Sequence, residues 1–185
     1  MFHGEVQAVE HEHHLQRTVA AFKDFQAGRL PTGPGARALI EAFQHVDAAL
    51  KDAEHSEPTV LDNERRVENL LRQQAGTLHV GAANYCWFRD PAMALCLRLA
   101  GTPTAKSPLV GMCDSARCPQ ATHHPCHRPI WAHRAETTAV FLSNPRTPPG
   151  EKTRLAAEHE RNLRVLAEID AAANGPTPAR KTTPR

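Results

Sequence analysis

All five cysteines of this 185-residue chain fall between positions 86 and 126, in a stretch studded with histidine and proline. The pattern is Cys86-x9-Cys96-x16-Cys113-x4-Cys118-x4-His123-His124-x-Cys126-His127-x5-His133. Pro103, Pro108, Pro119, Pro125 and Pro129 remove backbone donors and deny this centre long regular structure. Such a segment needs something other than helix or sheet ladders to hold it. A tetrahedral Zn²⁺ bound by thiolates and imidazoles supplies that. Cys113 and Cys118 offer two ligands from one short loop, and Cys86 and Cys96 are the first choice for the other pair. His123 and Cys126 are reserve ligands, and His124 or His127 would serve the same chemistry. Two other states remain open: free thiols packed as small apolar residues, and disulfides. A structural ion fits better than a catalytic one, because the chain has neither His-Glu-x-x-His nor the zinc-deaminase pattern.

The cysteines also divide the chain by charge. Residues 1–85 hold 8 Lys/Arg against 12 Asp/Glu, and residues 86–185 hold 14 against 8. An acidic half without cysteine thus precedes a basic half with all of it. No run approaches the ~18 apolar residues of a membrane span. No basic stretch followed by an apolar one opens the sequence, so a cytoplasmic location is expected.

The first half reads as helices. Val6, Val9, Leu15, Val19, Phe22 and Phe25 recur at helical spacing up to Gly28 and the Pro31–Gly35 breaker. A second helix is expected over 36–53 with Leu39, Ile40, Phe43, Val46 and Leu50 inward, and a third over 59–74 ending at a Gly76 cap. A short helix between Asp90 and Gly101 would carry Cys96 near its end. A long last helix over 150–173 shows a stripe of Leu155, Leu163, Leu166 and Ile169, with His159 between. The expected fold is mostly α: a helical segment 1–77, an irregular zinc-stabilised Cys/His module 78–135, a C-terminal helix 150–173 and a disordered basic tail 174–185.

No catalytic constellation stands out. Tyr85 is the sole tyrosine, and its expected role is packing beside Trp87 and Phe88. His11-Glu12-His13-His14 reads as a solvated helix face, since adjacent residues on a helix point apart. Arg89, Arg98, Arg117, Arg128 and Arg134 are interleaved with the candidate ligands. Zinc loops that present arginine this way meet phosphate backbones. The last helix, with its narrow apolar stripe, would suit a helical partner.

The run Gly81-Ala-Ala-Asn-Tyr-Cys86-Trp-Phe-Arg-Asp-Pro91-Ala-Met-Ala-Leu-Cys96 resembles the C-terminal Cys/His-containing tail of actinobacterial site-specific integrases, in the transposase-like tyrosine recombinase superfamily. Met112–Cys118 and His123–Pro129 are similar to the same tail, as is the closing helix, so that the likeness spans about residues 60–173. The resemblance implies DNA integration and recombination. It also implies that this chain lacks the catalytic tyrosine domain and cleaves no DNA alone, acting as an accessory or truncated segment that binds DNA or a recombinase partner. A structural or regulatory zinc protein that binds only protein is the alternative.

Overall fold

The computed structural model of this chain describes residues 2–56 and 63–174. Helix α1 (Phe2–Gln26), α2 (Ala36–Ser56) and α3 (Asn63–Ala75) come first. Ser56, where a break is expected, still belongs to α2; the rest of that break at 57–58, the start of the third helix at 59 and the tail beyond 174 lie outside the described residues. The three helices bury Leu15, Phe22, Leu39, Phe43 and Leu71 in one core. Phe22 meets the edge of Phe43 with ring centroids 5.3 Å apart. The core begins at Leu15. Val6 and Val9, which fit the same stripe on paper, are 65% and 70% exposed, so no described element covers that end of α1. Gly76 does follow α3, yet it does not adopt the left-handed conformation expected of a cap; the glycines that do are Gly28, Gly33 and Gly101.

The centre is more regular than its prolines suggest. A three-stranded antiparallel sheet, ordered β1 (Leu78–Val80), β2 (Tyr85–Trp87) and β3 (Ala121–Thr122), joins residues far apart in sequence. Cys86 pairs with His79 on one side and Ala121 on the other. The expected helix after Asp90 is split. Asp90 caps a single 3-10 turn, its Oδ1 accepting the Ala92 amide at 2.9 Å. Extended backbone at Ala94 then interrupts before α4 (Leu95–Leu99), and Gly101 ends it with φ +70°.

A sixteen-residue helix, α5 (Arg128–Ser143), was not expected from the sequence. Pro129 looked like a breaker, but it sits in the first turn, where its missing donor costs nothing. Trp131, Ala135 and Thr138 then recur on the inward face. Helix α6 (Pro149–Ala173) pairs with α5. Its buried face is Leu155, Asn162, Val165 and Ile169; Leu166 packs at the margin and Leu163 is 46% exposed. The buried face therefore keeps Leu155 and Ile169 of the expected stripe and adds Asn162 and Val165, while Leu163 turns outward. Trp131 ties this helical pair to the sheet by donating Nε1–H to the Ala83 carbonyl at 2.8 Å.

The loop between α1 and α2 is stitched to β3. Thr32 and His123 exchange backbone hydrogen bonds of 2.9 and 2.8 Å, and the Gly35 amide donates to the Ala121 carbonyl at 2.8 Å. Gly33 has φ +88°, and a Cβ there would lie 2.8 Å from His123 Nδ1. Gly28 has φ +82° with open space around it. Gly28→Ala should therefore cost about 1 kcal/mol in backbone strain alone. Gly33→Ala should cost about 2 kcal/mol or more, with the added clash; urea unfolding of the two variants side by side measures the difference.

Candidate metal centre

Strand β2 sorts its side chains by alternation. Tyr85 and Trp87 face the helical core, and Cys86 faces the other way. On that opposite side lies a cavity of about 180 Å³ whose walls include Cys86, Cys96, Cys113 and Cys118. Each cysteine arrives from a separate local structure. Cys86 is in β2 and Cys96 in α4. Cys113 closes the 3-10 turn Val110–Met112, and Cys118 follows a turn in which its amide donates to the Asp114 carbonyl at 3.0 Å. Gln120 orients the segment that leads to α4: its Oε1 accepts the Arg89 and Asp90 amides at 2.7 and 2.9 Å, and its Nε2 donates to the Asp90 carbonyl.

All five cysteines are free thiols. Burial pushes the Cys86 thiol up to about 12, and its approach to Cys118, Cys113 and Cys96 adds to the shift. Cys113 is pushed up to about 11 by burial first, then by Cys118 and Cys96, and its Sγ lies 3.8 Å from Asn84 Oδ1. The four candidate ligands thus line one cavity. Among the described residues, no group of three or more His, Cys, Asp or Glu side chains is arranged to hold a metal ion. The donor set nevertheless suits zinc chemically. It consists of four sulfurs, and a bound dication would offset the burial and neighbouring charge that push Cys86 and Cys113 up.

The reserve ligands lie elsewhere. Cys126 contacts the Tyr85 hydroxyl at 3.7 Å and is not part of the cavity wall. His123 is buried, its Nε2 paired with Ser115 Oγ at 3.2 Å, so it reaches the cavity only through Ser115. His124 and His127 belong to a buried polar seam under the sheet. Trp87 Nε1–H donates to Thr122 Oγ1 at 2.9 Å, Thr122 Oγ1 pairs with His124 Nε2 at 2.9 Å, and the His124 amide donates to His127 Nδ1 at 3.0 Å. His127 therefore carries its proton on Nε2, an atom with no hydrogen-bond partner among the described residues. Sequence reasoning missed Asn84, Asp114 and Ser115 as parts of the cavity wall. Their proximity in sequence to Cys86 and Cys113 was the available signal.

The arginines fall into three environments. Arg117 pairs with Asp114 at 2.7 Å and Arg128 with Asp170 at 3.0 Å. Arg134 holds its guanidinium 5.1 Å over the Trp131 ring and lines the thiol cavity. Arg89 lies beside a groove between α2 and α3, and Arg98 is exposed on α4. His14, from the expected solvated face, is instead half-covered by His79, at a ring-centroid distance of 6.3 Å. Among the described residues, no helix is long and apolar enough to cross a membrane.

Burial, then neighbouring charge, lowers His123 to about 4 and His124 and His127 to about 3, from an ordinary 6.5. The unfolded chain takes up these protons near 6.5 and the folded chain only near 3 to 4. Stability is therefore full above pH 6.5 and falls as the pH drops towards the folded values. Between pH 7 and pH 5, where most carboxylates stay ionised, the unfolding free energy should fall by about 2 kcal/mol or more. Urea titrations at the two values measure it, and a flat profile contradicts it. No family model, no curated protein and no solved structure matches this chain.

Proposed function

We propose that this chain is an accessory segment of a DNA integration and recombination system, built around a structural zinc ion held by Cys86, Cys96, Cys113 and Cys118. The observation that carries the proposal is the cavity whose wall includes four cysteines, each from a separate local structure. The need for an ion is physical. Between Phe88 and Gln120 the buried apolar cluster consists of Ala94, Cys96 and Leu97, with Phe88, Ala105 and Leu109 at its margin. Met93, Leu99, Val110 and Met112 are exposed. So little buried surface does not fix about thirty residues against their conformational entropy. Zinc bound by that segment supplies folding free energy directly.

Contact with DNA is assigned to Arg98 and Arg89, which have no carboxylate partner among the described residues. Arg117 and Arg128 already spend part of their charge on Asp114 and Asp170. The chain itself is read as non-cleaving and cytoplasmic. Tyr85 is 5% exposed, and burial with its Cys126 contact pushes its hydroxyl up to about 12, which supports a packing role over a nucleophilic one. A second reading, a zinc protein that binds only protein, is favoured by the exposed Val140, Phe141 and Leu163 on the α5–α6 pair.

Zinc removal by a chelator should melt the centre, and Cys86→Ser and Cys113→Ser should each lose zinc and lower Tm by several degrees. Fluorescence anisotropy with duplex DNA across 50–200 mM salt (a range of practical use, about one decade of affinity per few contacts) tests the partner. Arg98→Ala and Arg89→Ala should each weaken binding and reduce the salt slope by about 1. A chain that holds zinc but shows no salt-dependent DNA binding favours the protein-only reading.

A further inference from the structure

We propose that the groove between α2 and α3 is a binding site for a small organic carboxylate with an apolar body, and that Arg89 is the group that receives the carboxylate. Neither zinc nor DNA is needed for such binding. Where Arg89 also meets a phosphate, the two anions compete for one guanidinium.

The groove holds about 520 Å³, within the ~300–1,000 Å³ of small-molecule sites. Phe43 and Leu71, both fully buried in the helical core, form its floor, and Val46 and Leu70 stand partly exposed beside them. Hydrocarbon laid on such a surface leaves water favourably. Among the described residues no carboxylate lines the groove, and Arg89 brings a permanent positive charge to it. The acidic residues of α2 on either side in sequence, Glu41 and Asp47, are engaged by Arg37 and Lys51 at 3.0 and 2.6 Å. The Arg89 guanidinium has no ion-pair or hydrogen-bond partner among the described residues. Solvent reaches it, yet partial burial lowers its pKa from the ordinary value, so the charge is less well hydrated than a free one. Its backbone is held in place. The Arg89 amide donates to Gln120 Oε1 at 2.7 Å, and the neighbouring Phe88 amide donates to the Thr77 carbonyl at 2.7 Å, just beyond the end of α3. Gln74, also in the lining, has a buried Nε2 with no partner, and an oxygen acceptor is what that donor lacks. An apolar trough beside an unpaired guanidinium is complementary to a molecule with hydrocarbon at one end and a carboxylate at the other. Arginine takes a carboxylate through two parallel N–H···O bonds, a pairing that a neutral amide of the same shape cannot reproduce.

The test uses the full chain without DNA, with octanoate as the probe and octanamide as its uncharged counterpart. Affinity and location are read together from backbone amide shifts in NMR titrations. Octanoate should shift the amides of residues 42–46, 70–77 and 89, and should bind at least about tenfold more tightly than octanamide, the gain from a charge-assisted pair. Arg89→Gln should abolish that preference and leave octanamide binding nearly unchanged. Leu70→Ser, at a position 39% exposed, should weaken both ligands by a similar factor, since it removes apolar wall and no charge. Absence of octanoate shifts at the groove overturns the inference, as does equal affinity for the two ligands in the wild-type chain, a comparison that needs no variant to fold. A preference for octanoate that survives in Arg89→Gln overturns it as well. So does unchanged binding of both ligands in Leu70→Ser, which would put them elsewhere on the molecule.

Discussion

The alternation of three residues in β2 governs the molecule. Tyr85 and Trp87 enter the helical core while Cys86, between them, looks out at the cavity on the other face. Because strand side chains alternate with period two, a slip of one residue would put the thiol in the aromatic core and a ring in the cavity. The register is guarded on both edges. Leu78 lies opposite Trp87 and Tyr85 opposite Thr122. Trp87 reaches Thr122 by a buried hydrogen bond of 2.9 Å, so the same residue that fills the core also locks β2 to β3. The sheet is small, yet it connects an apolar core that folds by burial to a cysteine face that does not.

That contrast explains the distribution of chemistry. The helical side has phenylalanines in contact, with Phe22, Phe25 and Phe43 mutually within 6.1 Å. The α5–α6 side has Trp131, Val165 and Ile169. The stretch carrying Cys96, Cys113 and Cys118 has little of either, and its polar ties are made by Gln120 and by turns. Below the sheet, neutral histidines take the place of apolar residues, and they resist protonation because they are buried together. The thiol cavity, with Arg134 at its wall, is where an ion would contribute most, since burial contributes least there.

Much of the helical architecture was legible in the sequence, because a 3.6-residue period survives any detail of packing. Leu39, Phe43, Val46 and Leu50 lie along α2 as their spacing requires. The sheet was not legible. Strands of two and three residues are too short to show a period, and β3 comes more than thirty residues after β2. Helix α5 was hidden by reading Pro129 as a breaker, when the spacing of Trp131, Ala135 and Thr138 already marked a helical face. The inward face of α6 differs from the expected one because a polar residue, Asn162, is buried on it and Val165 rather than Leu163 clusters with Trp131. The four cysteines that line the cavity were chosen from residue type and clustering alone. Spacing did not separate them from His123 and Cys126, since only the fold places Cys126 under Tyr85 and His123 behind Ser115.

X-ray absorption at the zinc edge on the purified full chain tests the central claim most directly. The account predicts one zinc per chain with a first shell of four sulfurs at about 2.3 Å. A shell of nitrogen or oxygen donors at about 2.0 to 2.1 Å, or a chain that retains no zinc, would contradict it.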